Sequence, residues 1–547
     1  MISKSATPDT AAVFDGLAAD FFSVWFRFHP DLACEAGVGG FGRLLPAQSD
    51  DELAALSGWL ESLIVALEEI DFGALDGDRQ IDLELMFATA RVEHRELHLR
   101  DWRRFDPLRY LPTGEFYRLT LAQPRDLRGA LVELLGAMPQ HLRLAESHLI
   151  ESAVALAPEM AKATADEADK GRCYLRELAR SHWLRQHCHG WNEIDILTDA
   201  ACAALTSFAD LVRGEVVPRA TGRLGCGSDH LRFVLRHRHW LDVAPQTWAP
   251  LLDLALAETE ASLSALCSTL GIDPDDAPQR LASVSVDGRT RLESYHVESE
   301  RLQGMLRRSG LVTLPQIPLH ISERPNCPRP HRFGADYVAG WDDEQSGTLF
   351  LATADQDEET PADALARVRG RCLSRTWGGE HLIAFAGGDT ARRLPRRVAA
   401  GKSLTRGWDL YLREELGRGD GFGASPEERL HSLLHRHAHI RGAQLDLALH
   451  SGQVDGAEAI TRQAAWGDDA VDLVHLAQAP GDALAGVIGW RMIRAARRLL
   501  EQWQGSGFSE RAFNDRLVGH GPIPLPLILQ HEFGASFWDE VRAAVLD

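Results

Sequence analysis

Apolar residues recur every three or four positions along most of this chain. In residues 10–28, Phe14, Leu17, Phe21, Phe22, Trp25 and Phe28 gather on one broad face, the signature of an amphipathic helix. The same spacing predicts helices over about 50–70, 78–104, 126–164, 170–185, 192–215, 245–270 and 293–309. It continues over 361–387, 403–416, 426–452, 455–467 and 481–505. Turn-forming residues punctuate the pattern, among them Pro107, Pro112, Pro124 and the Gly271–Pro274 run. Residues 311–354 differ. Pro315, Pro318, Pro325, Pro328 and Pro330 forbid helix there, and the run from Gly347 to Thr353 alternates like a strand. The expectation is an all-α, mainly helical protein with a small β or irregular insert. No Gly/Ser-rich linker and no fixed-period repeat divides it. One body over 1–547 is therefore expected. It comprises an N-terminal helical portion (1–310), the Pro-rich insert (311–360) and further helices (361–547).

Composition narrows the partners. The chain has 547 residues, 45% of them hydrophobic and 25% charged, as in ordinary globular proteins. Its net charge of −21 repels phosphate backbones and anionic lipid, which argues against nucleic acid and membrane as partners. No apolar run reaches the roughly 20 residues that span a bilayer, and Met1–Ala12 is polar without a signal-peptide core. Eight cysteines are scattered, with no C-x-x-C pair, which favours a reducing cytoplasm over a disulfide framework or a zinc ribbon.

Local motifs are sparse. The chain holds no Walker A loop, no dinucleotide fingerprint after a strand, no G-x-S-x-G and no intact H-E-x-x-H. Gly37–Gly40 and Gly417–Gly421 are Gly-rich, but neither stands between a strand and a helix, so both read as turns. Histidines cluster three times: His182, His187 and His189 around Cys188; His237 and His239; and His431, His435 and His439, with His437 between. Two His at i and i+4 can reach one metal ion. Three along one face cannot all reach one tetrahedral ion, because i and i+8 lie about 12 Å apart at 1.5 Å rise per residue. A polar helix face, interleaved with Arg436 and Arg441, is the plainer reading of that stripe.

Two longer blocks say more. One runs from Arg371 through Cys-Leu-Ser-Arg-Thr-Trp-Gly-Gly-Glu-His-Leu to Ile383, and the other from Thr405 through Arg-Gly-Trp-Asp-Leu-Tyr-Leu-Arg-Glu-Glu to Leu416. In this order they resemble the signature blocks of the bacterial domain-of-unknown-function family 885, H-E-x-x-P-G-H-H-L-Q and E-G-W-x-L-Y-x-E. The resemblance extends over nearly the whole chain. Phe28–Ala33 with Gly37 is similar to an N-terminal P-x-x-A-x-x-x-G element, and Gly310–Pro315 with Tyr337 to the stretch ahead of the catalytic helix. Asp446–His450 resembles D-x-G-x-H, and Pro480–Leu484 with Gly489 resembles P-G-Q-A-L and its spaced Gly. Phe513–Leu517 and Gly521–Leu525 resemble F-H-D-x-L and G-x-x-P-L. The resemblance implies a zincin metallocarboxypeptidase-like single body, mostly helical, with a deep cleft.

The positions that carry the chemistry depart from that pattern. The first His falls on Ser374 and the Glu on Arg375, while Pro-Gly falls on Gly378-Gly379. The next His falls on Glu380, and only the last is kept, as His381. The Glu before Gly-Trp falls on Arg406, an Arg-Tyr pair on His475-Leu476, and a Tyr-Lys pair on Gly486-Val487. Arg has no lone pair and does not deprotonate in proteins, so it neither ligates zinc nor acts as a base. Two guanidinium groups would also repel a divalent ion by several kcal/mol each at about 4 Å. The former metal positions are thus Ser374, Arg375, Glu380 and Arg406, with no metal or cofactor expected. Charge replacement is the alternative, with Arg375 and Arg406 standing where the zinc charge would be and paired with Glu380.

The expected function is a catalytically degenerate, non-zinc relative of these peptidases. It would bind a small acidic or peptide-like ligand, or a protein partner, in the former active-site cleft. Arg375, Glu380, Arg406, Trp408 and His450 are the candidate ligand-binding residues. Three readings stay open: a dead or binding scaffold, an active carboxypeptidase-like hydrolase with relocated ligands, and a metal-independent biosynthetic enzyme. For the two enzymatic readings the candidate catalytic residues are Glu380, His381, Tyr411 and His450. Trp377, Trp408 and Trp490 read first as core, since aromatics at helical spacing usually pack.

Overall fold

The computed structural model describes residues 9–122, 126–188, 191–282, 289–324, 337–341, 345–351, 365–399, 401–417, 425–464, 466 and 471–546. Pro124, His189, Pro325, Cys327, Pro328, Pro330, Ala352, Thr353 and residues 418–421 of the second Gly-rich stretch lie outside the described residues. The chain gathers into two compact units. One comprises Met1–Ala179, Arg185–Thr221 and Arg393–Ala399; the other comprises Arg180–Leu184, Gly222–Arg392 and Ala400–Asp547.

In the first unit, the periodic run at the N-terminus forms the helix Thr10–Phe28, started by the Asp9 carboxylate on the Ala11 N–H at 3.2 Å. Phe21 stacks on Trp25 and Trp59, and Leu56, Leu60, Leu63 and Leu67 complete the core from the helix Asp50–Glu68. The single helix expected over 126–164 is two, Leu127–Ser152 and Pro158–Arg180, separated by a tight turn at Ala153–Ala155. Proline at the first position of the second helix suits a helix start, where its missing N–H leaves no bond unmade, whereas Pro139 is accommodated inside the first helix. The helix expected over 192–215 keeps its α form only across Trp191–Leu211 and loosens into a π turn at Val212–Val216. Asp82, with no exposed surface, accepts from Arg396 Nε at 3.0 Å and pairs with Arg393, which ties Leu394–Arg397 into this unit.

In the second unit, the helices Lys402–Gly417 and Asp482–Gln504 pack closely along each other. Gly407 and Gly489 meet there: a Cβ on Gly489 would lie 1.8 Å from the Ser403 carbonyl oxygen, and one on Gly407 2.7 Å from the Gly489 backbone. Only residues without a side chain let the two backbones touch. The helix Pro426–His450 packs on both, and Trp248–Leu270 packs on it in turn.

The small insert is a three-stranded sheet in the order β1 (Leu319–Glu323), β3 (Ser346–Leu351), β2 (Tyr337–Gly340). β1 runs parallel to β3 with Ile321 opposite Leu349, and β2 antiparallel with Tyr337 opposite Leu349. Among the described residues, no helix is long and apolar enough to cross a membrane.

Candidate functional site at the two signature-like blocks

The first block, expected as one helix over 361–387, folds as two: Leu365–Arg375 and Glu380–Phe385. Gly378 and Gly379 turn the chain between them. A Cβ on Gly379 would sit 1.9 Å from the Ser374 carbonyl oxygen, so the turn closes only on a residue without one. The second block is the helix Lys402–Gly417, and it braces this turn. Trp408, with no exposed surface, donates its indole N–H to the Gly378 carbonyl at 2.8 Å and packs on Tyr411. Trp490 is likewise core, with its indole N–H on Glu414 at 2.8 Å.

The positions of the two blocks where the family pattern carries His and Glu part company. Arg375 and Glu380 form a direct ion pair, each about a third exposed. Arg406 does not join them. It lies against Gly486, where a Cβ would come 2.8 Å from Arg406 Cβ, and it makes no ion pair among the described residues. Its charge acts on His439, His475 and Asp482. Ser374 Oγ donates to Asp409 Oδ1 at 2.7 Å and accepts from Arg413 at 2.7 Å.

His381 has no exposed surface and no free nitrogen. Its Nε2–H donates to the Ile317 carbonyl at 3.1 Å, which leaves Nδ1 to accept from the Tyr337 hydroxyl at 2.9 Å. Gly347 makes room for this pair: a Cβ there would fall 2.4 Å from both His381 Nδ1 and the Tyr337 oxygen. Burial holds the ring neutral, with its pKa lowered to about 4. The sheet thus anchors the one His retained from the pattern of the first block. Zinc does not fit this donor set. Arg375 occupies one carboxylate, both His381 nitrogens are engaged, and Ser374 is bonded on both sides. Among the described residues, no three His, Cys, Asp or Glu converge as a metal site.

Two residues that sequence reasoning passed over organise the polar seam. Asp409 and Arg413, one turn apart on the 402–417 helix, pair at 2.9 Å. Burial pushes the Asp409 carboxyl up, but Arg413 and Ser374 overcome that and hold it below the usual range. The His431–His439 stripe faces this pair. His435 Nδ1 lies 3.7 Å from Asp409, and the His435 and His439 Nε2 atoms are 3.1 Å apart. Burial first, then the nearby arginines, lowers His431 and His439 to about 4, so the stripe is neutral at pH 7. Asp409 directly follows Trp408, and its i+4 partner Arg413 was the available signal.

The matched residues further on are buried. Asp446 accepts the N–H groups of Gly481, Ala483 and Leu484 at 3.0, 3.1 and 3.1 Å and so caps the helix Asp482–Gln504. Burial pushes its pKa up to about 7 against those bonds. His450, also without exposed surface, accepts from the Cys226 N–H at 3.0 Å and donates to the Leu476 carbonyl at 3.0 Å. Tyr411 is buried with its hydroxyl 3.4 Å from Glu510. Near Arg406, buried Asp482 lies 3.4 Å from His239, a ring with no exposed surface that burial keeps at about 4.

Comparison with known proteins gives this geometry a setting. A family model described as "Bacterial protein of unknown function (DUF885)" matches residues 30–531. No curated protein matches the chain. A solved structure of a candidate lipoprotein of unknown function from Shewanella oneidensis superposes with a TM-score of 0.72 at 15% identity, covering 95% of this chain and 99% of that one. A candidate lipoprotein from Colwellia psychrerythraea gives 0.77 at 14% identity, covering 98% and 99%. At such identities the likeness concerns the fold alone.

Proposed function

The chain belongs to the DUF885 family of bacterial proteins of unknown function, and from that premise we propose that it is a catalytically degenerate, non-zinc relative of zincin metallocarboxypeptidases. It binds a small acidic or peptide-like ligand in the former active-site cleft. The observation that carries this reading is Arg406. It is a half-buried guanidinium without an ion-pair partner among the described residues, at the position where the family pattern has an acid. Arg375 is already spent on Glu380, so Arg406 is the cation left to meet a carboxylate, by a charge-assisted and bidentate hydrogen bond. A cytoplasmic location is part of the proposal and is supported by the seven free thiols among the described residues.

The test is calorimetric titration with acetyl-Ala-Ala-Glu bearing a free C-terminus, and with its C-terminal amide. Saturable binding of the acid, weakened about tenfold in the amide and about tenfold by Arg406→Gln, is expected; a tenfold change corresponds to about 1.4 kcal/mol. Affinity untouched by Arg406→Gln would refute the role of Arg406.

A further inference from the structure

A second hollow opens in the same unit, one helical turn from Ser374. It is bounded by the helices Arg291–Ser309, Leu365–Arg375, Lys402–Gly417 and Pro426–His450, and it is a shallow, partly open hollow with a cavity volume of about 50 Å³. Its floor is apolar, from Leu302, Met305, Ala366, Leu373 and Leu416.

Its walls carry four arginines against two glutamates. Most of that charge is consumed locally. Glu298 and Glu428 alternate with Arg301 and Arg369 in a closed ring of four ion pairs, at 2.6, 2.6, 3.0 and 3.3 Å. Arg413 is neutralised by Asp409 at 2.9 Å. Arg429 alone among the four has no ion pair among the described residues, and it is exposed at the rim. Beside it, Ser432 donates its hydroxyl to the Glu428 carbonyl at 2.8 Å and keeps lone pairs free. The neutral imidazole of His431 lines the same wall, stacked edge-on to His435, and makes no hydrogen bond among the described residues.

We propose that this hollow is a second ligand site, distinct from the former metal cleft, for a monocarboxylate with a compact apolar body. The apolar body lies on the Leu302–Leu373–Leu416 floor. The carboxylate takes the Arg429 guanidinium and a hydrogen bond from the His431 imidazole. The closed Arg–Glu ring shapes the wall without adding net charge, so a dianion or a cation gains nothing further there. A buried apolar body, an uncommitted guanidinium and an unused imidazole N–H together define the class; none of them does so alone.

The proposal is independent of the cleft reading, and one experiment separates the two. N-acetyl-leucine and N-acetyl-leucinamide are titrated by calorimetry into the full chain, into Arg429→Glu and into Arg406→Gln. Arg429 is exposed, so its variant should fold, and an unchanged thermal melt confirms this. The expected result is saturable binding of the acid and at least about tenfold weaker binding of the amide. Arg429→Glu should weaken the acid about tenfold or more, and Arg406→Gln should leave it unchanged. Equal affinity for acid and amide, no saturable heat, or loss in Arg406→Gln with Arg429→Glu unaffected would each overturn the proposal. The last of these would assign the carboxylate to the former metal cleft instead.

Discussion

Two parts of the second unit fit the same family pattern in opposite ways. Around Asp446 and His450 the pattern is kept, and every kept group is buried and bonded to backbone. Around Ser374, Arg375 and Arg406 the pattern is lost, and the replacing groups are partly exposed or uncommitted. The kept residues therefore hold the architecture, because a buried carboxylate capping a helix cannot be exchanged without orphaning its N–H partners. The lost residues sit where side chains reach solvent, and exchange there changes chemistry rather than fold. His381 belongs with the first group although it lies in the first block: both its nitrogens are structural.

The broadest challenge to this contrast is acid. His239 and His381 have no exposed surface, and burial lowers both to about 4. A depressed histidine contributes stability that is present above its unfolded pKa of 6.5 and is lost as pH falls toward 4, because the unfolded chain binds the proton first. From pH 7 to pH 5 each ring should cost on the order of 2 kcal/mol, a large share of a typical folding free energy. Urea midpoints across that range should fall steeply. A flat profile from pH 7 to 5 would mean that these rings are not buried and neutral.

The next largest effect is Asp446→Ala. Three buried N–H groups lose their acceptor, and about 3–5 kcal/mol of stability should go with them, read from denaturant unfolding. A loss below about 1 kcal/mol would contradict its architectural role. By contrast, Arg375→Ala and Glu380→Ala should each cost about 1 kcal/mol or less, with a coupling in the double-mutant cycle of the size usual for exposed pairs. A coupling of several kcal/mol would place that pair with the architecture. Arg406→Gln should be smallest of all, within about 0.5 kcal/mol in stability, since Arg406 makes no ion pair among the described residues and its charge reaches Asp482 only at a distance.

The sequence was most legible where period and cap agree. Thr10–Phe28 came out of the spacing of its aromatics at its observed bounds, and the 402–417 helix within one residue at each end. It was least legible where a short turn breaks a continuous pattern, as the turn before Pro158 divides an apolar run and Gly378-Gly379 divides the first block. The sheet was legible only at its central strand, because β1 and β2 are short and flanked by prolines. At the site, the Arg375–Glu380 pair was foreseen, but Arg406 was expected beside it and lies instead on the Gly486 side of its helix. Motif positions carry no direction of projection. Asp409 and Arg413 were passed over because the motif is silent at both, although their i+4 spacing pairs them on one helix face.

The central proposal is that guanidinium charge stands where the family pattern places acids and histidines, in place of a zinc ion. Inductively coupled plasma mass spectrometry on protein purified without chelators and equilibrated with Zn²⁺ tests it most directly. The account predicts no stoichiometric zinc, and no change in the little that is bound when Glu380 is changed to Ala. One zinc per chain, lost in Glu380→Ala, would contradict it.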